Sequence, residues 1–212
     1  MPEAQLTKLI LKTAAVTFSL LVAVALILFG AVSLASPAAM MTFTESLGME
    51  GLSAYYSVAV CDRSGEIGDI AAAVERSYNA GHYADAAVYG EKLLASDEFS
   101  AYCTLRDDDT EGSGSIRSSY AQYAAGITSS ALYYEGEEEK AIDTAMLRLR
   151  ETKSFPENNA MIYLAASAME REDIAFCEKI VNTLNNLAVE DAQEQEDLRT
   201  FLSDLQTYCG LN

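Results

Sequence analysis

Ala131-Leu132-Tyr133-Tyr134-Glu135-Gly136-Glu137-Glu138-Glu139-Lys140-Ala141-Ile142 reads as the end of one helix, a tight turn and the start of another. Upstream, Tyr120, Tyr123, Ala124, Ile127, Ala131 and Tyr134 recur at helical spacing; downstream, Ala141, Ile142, Ala145 and Leu149 do the same. The acidic run Glu135, Glu137, Glu138 and Glu139 falls where a helix starts, and there negative charge meets the positive end of the helix dipole.

The same organisation extends in both directions. Toward the N-terminus lie the stripes Leu52, Tyr55, Tyr56, Ala59, then Ile67, Ile70, Ala71, Val74, Tyr78, then Tyr83, Ala86, Ala87, Gly90, Leu93, Leu94. Toward the C-terminus lie Met161, Ile162, Ala165, Ala168, Met169, then Ile174, Cys177, Val181, Leu184, and finally Leu198, Phe201, Leu202, Leu205. No comparable segment alternates with period two, so an all-α fold is expected.

Two further turns, Asn79-Ala80-Gly81-His82-Tyr83 and Glu170-Arg171-Glu172-Asp173-Ile174, match the first in having a small residue three positions on: Ala86, Ala141 and Cys177. A small side chain there lets the second helix of a pair cross closely over the first. Tyr83 and Glu138 are 55 positions apart and Glu138 and Ile174 are 36 apart. The first interval approaches the second if residues 97–116 form an inserted loop.

The motif from Ala131 to Ile142 resembles the centre of a tetratricopeptide repeat, Ala80-Gly81-His82-Tyr83-Ala84-Asp85-Ala86 resembles the same turn, and Pro156 falls near that family's closing proline. The resemblance covers about residues 67–187, with a degenerate third copy. It implies a helix-pair solenoid over residues 67–209, closed by a C-terminal helix with a polar face, and a role in binding other proteins; an irregular helical bundle is the alternative architecture. The segment from Ser36-Pro37 through Ser46-Leu47-Gly48-Met49 to Tyr55-Tyr56 resembles uncharacterised membrane-anchored proteins of Gram-positive bacteria.

Residues 14–35 carry no charge and are rich in Leu, Val, Ala, Ile and Phe. As a helix they would span roughly 33 Å, enough for a hydrocarbon core of about 30 Å. The segment reads as a transmembrane signal anchor; cleavage after Ala35 is the alternative, disfavoured because a signal-peptide apolar region typically runs about 7–15 residues. Lys8 and Lys12 precede it, and the first basic residue after it is Arg63. The positive-inside rule then leaves residues 1–13 in the cytoplasm and exports the rest: membrane-proximal helices over 36–66, then the helical domain.

Of the whole chain's 32 acidic and 14 basic residues, only Glu3, Lys8 and Lys12 precede residue 36, so the exported part carries a formal charge of −19. That charge repels nucleic acid and favours solubility, a basic partner or a bound cation. No Asn-x-Ser/Thr sequon occurs.

Chemistry-bearing patterns are sparse. Asp107-x-Asp109-x-Glu111-Gly112 imitates the start of a calcium loop, but its twelfth position is Ser118, where a bidentate carboxylate is needed. His82 is the only histidine, and it reads as a surface turn residue. Neither a phosphate-cradling glycine loop nor a Gly-x-Ser-x-Gly elbow occurs. No catalytic residues and no cofactor are therefore expected.

Cys61, Cys103, Cys177 and Cys209 allow two disulfides if exported, and Cys61–Cys103 is the favoured candidate. Cys177–Cys209 is disfavoured, because a turn near Ala188 would leave Cys209 about two turns out of reach. Among twelve tyrosines, Tyr133 and Tyr163 fall off their stripes and are the candidate ligand-binding residues of a peptide groove. Together these readings predict a membrane-anchored, non-catalytic interaction module for a protein or peptide of the cell envelope. A cleaved, secreted or surface protein with a structural or cation-binding role is the alternative.

Overall fold

The computed structural model describes residues 2–109 and 119–211, and among these the chain forms helices and no strand. In order they are α1 (Pro2–Ala35), α2 (Pro37–Ser46), α3 (Glu50–Ser64), α4 (Ile67–Asn79), α5 (Tyr83–Leu94), α6 (Phe99–Asp109), α7 (Tyr120–Tyr134), α8 (Glu138–Thr152), α9 (Ala160–Glu170), α10 (Ile174–Leu184) and α11 (Ala192–Cys209).

Within α1, Leu11–Ala35 is the one described stretch long and apolar enough to cross a membrane, a property a signal sequence shares. Its side chains are almost wholly exposed, so the folded part gives it no apolar cover. The end of α1 is nonetheless tied to α3. Ser33 Oγ lies 2.8 Å from Tyr56 Oη, and the Arg63 guanidinium donates to the Leu34 carbonyl at 2.8 Å. That cation sits at a helix C-terminus, where carbonyls lack partners and the dipole favours positive charge.

Three turns share one hydrogen-bond scheme. His82 N donates to Ser77 O at 2.8 Å, Glu137 N to Leu132 O at 2.9 Å and Asp173 N to Ala168 O at 3.0 Å. One residue earlier, Gly81, Gly136 and Glu172 occupy the left-handed region at φ of 74°, 85° and 54°. This is the usual way a helix ends, and glycine adopts the conformation without a Cβ penalty. Glu172 has that penalty and is exposed. Glu172→Gly is therefore expected to raise stability by about 1 kcal/mol, a melting shift of roughly 2–4 °C, which calorimetry would read. An unchanged or lower melting temperature would refute it.

Ala86, Ala141 and Cys177, the small residues after these turns, are all fully buried. The helices meet closely elsewhere too. A Cβ on Gly90 of α5 would lie 2.3 Å from Thr128 Oγ1 of α7, and one on Gly126 of α7 would lie 2.6 Å from the Tyr163 ring of α9. α7 packs against α5, α8 and α9 together and buries twelve of its fifteen residues, which makes it the centre of the fold. Its run of Ala124, Ala125, Gly126, Ser129, Ser130 and Ala131 lets three neighbours approach at once. Thr128 and Ser129 satisfy their buried hydroxyls on the carbonyls four residues back, at 2.7 Å each.

Two apolar clusters fill the interior. One runs from Cys61 through Val74, Leu93, Phe99 and Ile127; the other runs from Ala86 through Leu149, Phe155, Phe176 and Leu205. Tyr78 and Leu94 pack against both and join them.

The loop expected over residues 97–116 is a helix in its first half. α6 puts Phe99 and Cys103 into the core, and Tyr102 packs against the same cluster. These residues fall at i, i+3 and i+4, an apolar face too short to stand out beside the acidic residues that follow. Residues 110–118 lie outside the described residues.

The placement of Cys209 also differs from expectation: it packs against the apolar cluster that contains Cys177, and the neighbouring Tyr208 hydroxyl donates to the Met169 carbonyl at 3.2 Å. The connection over residues 185–191 is not a tight turn. It runs on to Lys153, whose carbonyl accepts from Glu190 N at 3.0 Å and whose ammonium pairs with the Glu190 carboxylate at 2.7 Å. α11 therefore starts beyond the end of α10. With eighteen residues against eleven, about 27 Å against 16 Å, it comes back level with the first turn of α10.

Candidate functional site

The first helices of the three turn-joined pairs, α4, α7 and α9, meet through tyrosines. Tyr120 Oη of α7 donates to Glu75 Oε1 of α4 at 2.8 Å, and Tyr123 of α7 meets Tyr163 of α9 edge-on at 5.9 Å between ring centres. Within α7, Tyr120 and Tyr123 are one turn apart at 5.9 Å, and α6 adds Tyr102, edge-on to Tyr120 at 5.5 Å. The result is a ladder of four rings, Tyr102, Tyr120, Tyr123 and Tyr163, crossing three helices. Tyr120 is buried and the other three are half-buried. Edge-to-face contacts of this kind hold rings at about 0.5–1.5 kcal/mol per pair beyond their burial.

Arg106 closes one end. Its guanidinium lies 4.8 Å from the Tyr120 ring centre and 3.3 Å from Glu75. Burial pushes the Tyr123 hydroxyl up to about 12, with Glu75, Tyr163 and Tyr78 adding to it, and burial then Glu75 raises Tyr120 further still. Both hydroxyls stay protonated at any physiological pH and remain hydrogen-bond donors. Chemically, the ladder offers ring surface and fixed donors, which suits it to a peptide backbone and its side chains.

Tyr163, expected at a groove, belongs to this ladder. Tyr133 does not. It is buried, stacked on Phe176 at 4.4 Å, and donates its hydroxyl to Asp173 Oδ2 at 3.0 Å. It falls off the stripe because α7 is packed on several sides, so that a single apolar stripe understates its buried surface. Tyr102, Tyr120 and Tyr123 were not singled out from sequence. Tyr120 and Tyr123 share a face at i, i+3 spacing, the one signal available, but their partners come from other helices.

Asp107 Oδ1 accepts from Tyr120 N at 2.7 Å and so caps the start of α7. The Asp109 side chain and Glu111, the other candidate calcium ligands, lie outside the described residues. Among the described residues no group of three or more His, Cys, Asp or Glu side chains is arranged to hold a metal ion. The four cysteines are free; Cys61 and Cys103 are buried in one apolar cluster but are not bridged. A cavity of about 550 Å³ at the start of α8 is lined by Glu137, Glu138, Glu139 and Asp143 with Lys140 and Lys179. Lys140 pairs with Glu91 and Lys179 with Glu138.

No family model matches the chain, and no curated protein or solved structure matches it either.

Proposed function

We propose that this chain is a protein-interaction module, a tetratricopeptide-like solenoid of three helix pairs held outside the membrane by a single N-terminal anchor, which binds a protein or peptide segment of the cell envelope and has no catalytic activity. The supporting observation is the order of helix contacts. First helices α4, α7 and α9 touch one another through Glu75–Tyr120 and Tyr123–Tyr163, and second helices α5, α8 and α10 are linked by Glu91–Lys140 and Glu138–Lys179. Such a two-layer order, with matching turns and small residues at the crossings, is what stacked repeats require. α11 packs against α10 of the last pair, the position a terminal cap would take.

In stacked helix pairs the first helices commonly line the concave face, and three of the ladder's four tyrosines, Tyr120, Tyr123 and Tyr163, are on those helices. Half-buried tyrosines are rigid, amphipathic contact residues with few rotamers to freeze on binding. The formal charge of −18 on the chain favours a partner segment that is neutral or basic over an acidic one. The anchor reading draws on Leu11–Ala35, and the orientation reading on Lys8 and Lys12 before that stretch with Arg63 the first basic residue after it.

Crosslinking in intact cells, followed by mass spectrometry of the captured proteins, tests the reading. A Tyr123→Ala, Tyr163→Ala double variant is expected to capture its partner at least tenfold less, since central aromatic contacts each carry about 2 kcal/mol or more. The Tyr123→Phe, Tyr163→Phe pair separates ring contact from hydroxyl donation without emptying the ladder. Full capture by the alanine pair at an unchanged melting temperature would remove the ladder as the binding face.

A further inference from the structure

We propose that the α2–α3 hairpin lies on the bilayer beside α1, with an apolar face of Phe43, Leu47, Met49, Leu52 and Tyr55 sunk among the lipid headgroups, so that lipid holds the chain by a second contact. This contact presupposes the anchor reading of α1. Sequence spacing puts Leu52, Tyr55, Tyr56 and Ala59 on one stripe of α3, the pattern of a core face. The folded chain does not cover that stripe: Leu52 is 45% and Tyr55 62% exposed. Ser53, Ala54, Ser57 and Cys61, on the other side of α3, are buried instead, and α3 packs against α2 and α4.

Charge and apolar surface take opposite flanks of the hairpin. Phe43 and Glu45 of α2 are two residues apart and so lie on opposite sides of the helix. Glu45 pairs with Arg76 of α4 at 3.1 Å, while Phe43 is exposed. Glu50, two residues before Leu52, lines one cavity with Arg76. Asp62, two turns beyond Tyr55, is drawn to α5, where the Tyr89 hydroxyl donates to it at 2.6 Å.

The occupant of the apolar face follows from where α1 holds the hairpin. Only Ser36 separates α1 from α2. Tyr56, on the stripe, is buried, and its hydroxyl lies 2.8 Å from Ser33 Oγ; further along α3, Arg63 donates to the Leu34 carbonyl at 2.8 Å. Two points of α3 about 10 Å apart thus reach the last turn of α1, so α3 crosses that end rather than running beside the span. Among the described side chains of α1 only Gly30 and Ser33 lose exposure, which leaves the rest of the span bare for lipid. The 25 residues Leu11–Ala35 make about 37 Å of helix against a hydrocarbon core of about 30 Å, so the end that carries the hairpin falls in the headgroup layer. Tyrosine belongs at that depth, and an apolar helix face settles there. The acidic character of the chain selects zwitterionic over anionic headgroups.

The chain contains no tryptophan, so one can be introduced as the sole reporter. Full-length Leu52→Trp in phosphatidylcholine vesicles is expected to lose roughly half or more of its emission when the lipid is brominated just below the headgroups, the depth of a face sunk about 5–10 Å. Leu47→Trp is expected to behave alike, and both sites are exposed, so neither replacement disturbs the core. Leu147→Trp, exposed on α8, is expected to keep its emission. Val24→Trp reads the anchor separately, through lipid brominated near the chain ends. Quenching of Val24→Trp with neither hairpin variant quenched would overturn the hairpin contact and leave the anchor standing. Without quenching of Val24→Trp the anchor and the hairpin contact fall together. Equal quenching of Leu147→Trp would overturn the assignment to this face. Blue-shifted but unquenched emission from Leu52→Trp would overturn it too, because protein, such as a second copy of the chain, would then be the cover.

Discussion

Phe176→Ala is expected to destabilise the folded chain by about 3–5 kcal/mol, the largest loss from any single truncation considered. The Phe176 side chain is 1% exposed and its ring lies 20° from parallel to that of Tyr133 at 4.4 Å. Truncation removes the apolar transfer energy of a whole ring and leaves a cavity that rigid neighbours cannot fill: Tyr133 is tied to Asp173, and Asp173 also caps α10 by accepting from Phe176 N at 3.0 Å. Urea titration followed by circular dichroism would read the change as a lower midpoint at similar slope. Tyr133→Phe is the companion variant, keeping the stack and deleting only the hydroxyl; its loss is expected near 1 kcal/mol. If Phe176→Ala cost no more than that, the ring would not be the buried pillar described.

Gly90→Ala is expected to lose about 1–3 kcal/mol, against the sign that helix propensity alone predicts. Alanine inside a helix is normally favoured over glycine by about 1 kcal/mol. Here the new methyl would meet Thr128 Oγ1 at 2.3 Å, Cγ2 at 2.7 Å and Cβ at 2.9 Å. Rotating the Thr128 side chain cannot relieve the last of these, and its hydroxyl is held by the Ala124 carbonyl at 2.7 Å. Either α5 and α7 separate or the backbone bends. Thr128→Gly on the same chain removes all three obstructing atoms and is expected to recover most of the loss, giving a strongly non-additive pair. A higher melting temperature for Gly90→Ala would mean that the two helices do not approach so closely.

The stripes around Ile70, Ile127 and Val181 were readable because a 3.6-residue period puts every apolar side chain of a helix on the side that must leave water. Gly81 and Gly136 marked turns because the left-handed conformation that ends a helix suits a residue without Cβ. At the third turn Glu172 hid the same geometry under an unfavourable residue, and the small Cys177 three positions after the turn was the remaining signal. α6 was hidden for a different reason. Its apolar face is one turn long, and Asp107 and Asp108 at its end looked like loop, whereas Asp107 caps the following helix.

The candidate site was less legible. Tyr163 could be picked out, but its selection beside Tyr133 rested on one assumption, that an off-stripe residue faces solvent. That holds for a helix with a single neighbour and fails for α7, which packs against several. Tyr102, Tyr120, Tyr123 and Tyr163 become one feature only when three helices are placed side by side. The return of Cys209 to the cluster that holds Cys177 turned on where the connection over residues 185–191 goes, and its course is set by Lys153 and Glu190, which are 37 positions apart.

By itself the sequence determined that the chain is helical, where most helices end, and that one N-terminal helix is long and apolar enough for a membrane. These follow from backbone preferences and apolar period within a few residues, which each segment carries wherever it is placed. Tertiary structure alone decided that α7 is enclosed, that four tyrosines form a ladder and that α11 returns beside the start of α10. Such facts depend on the relative placement of helices, set by the summed packing of Gly90, Gly126 and their neighbours, to which no local pattern of residues gives access.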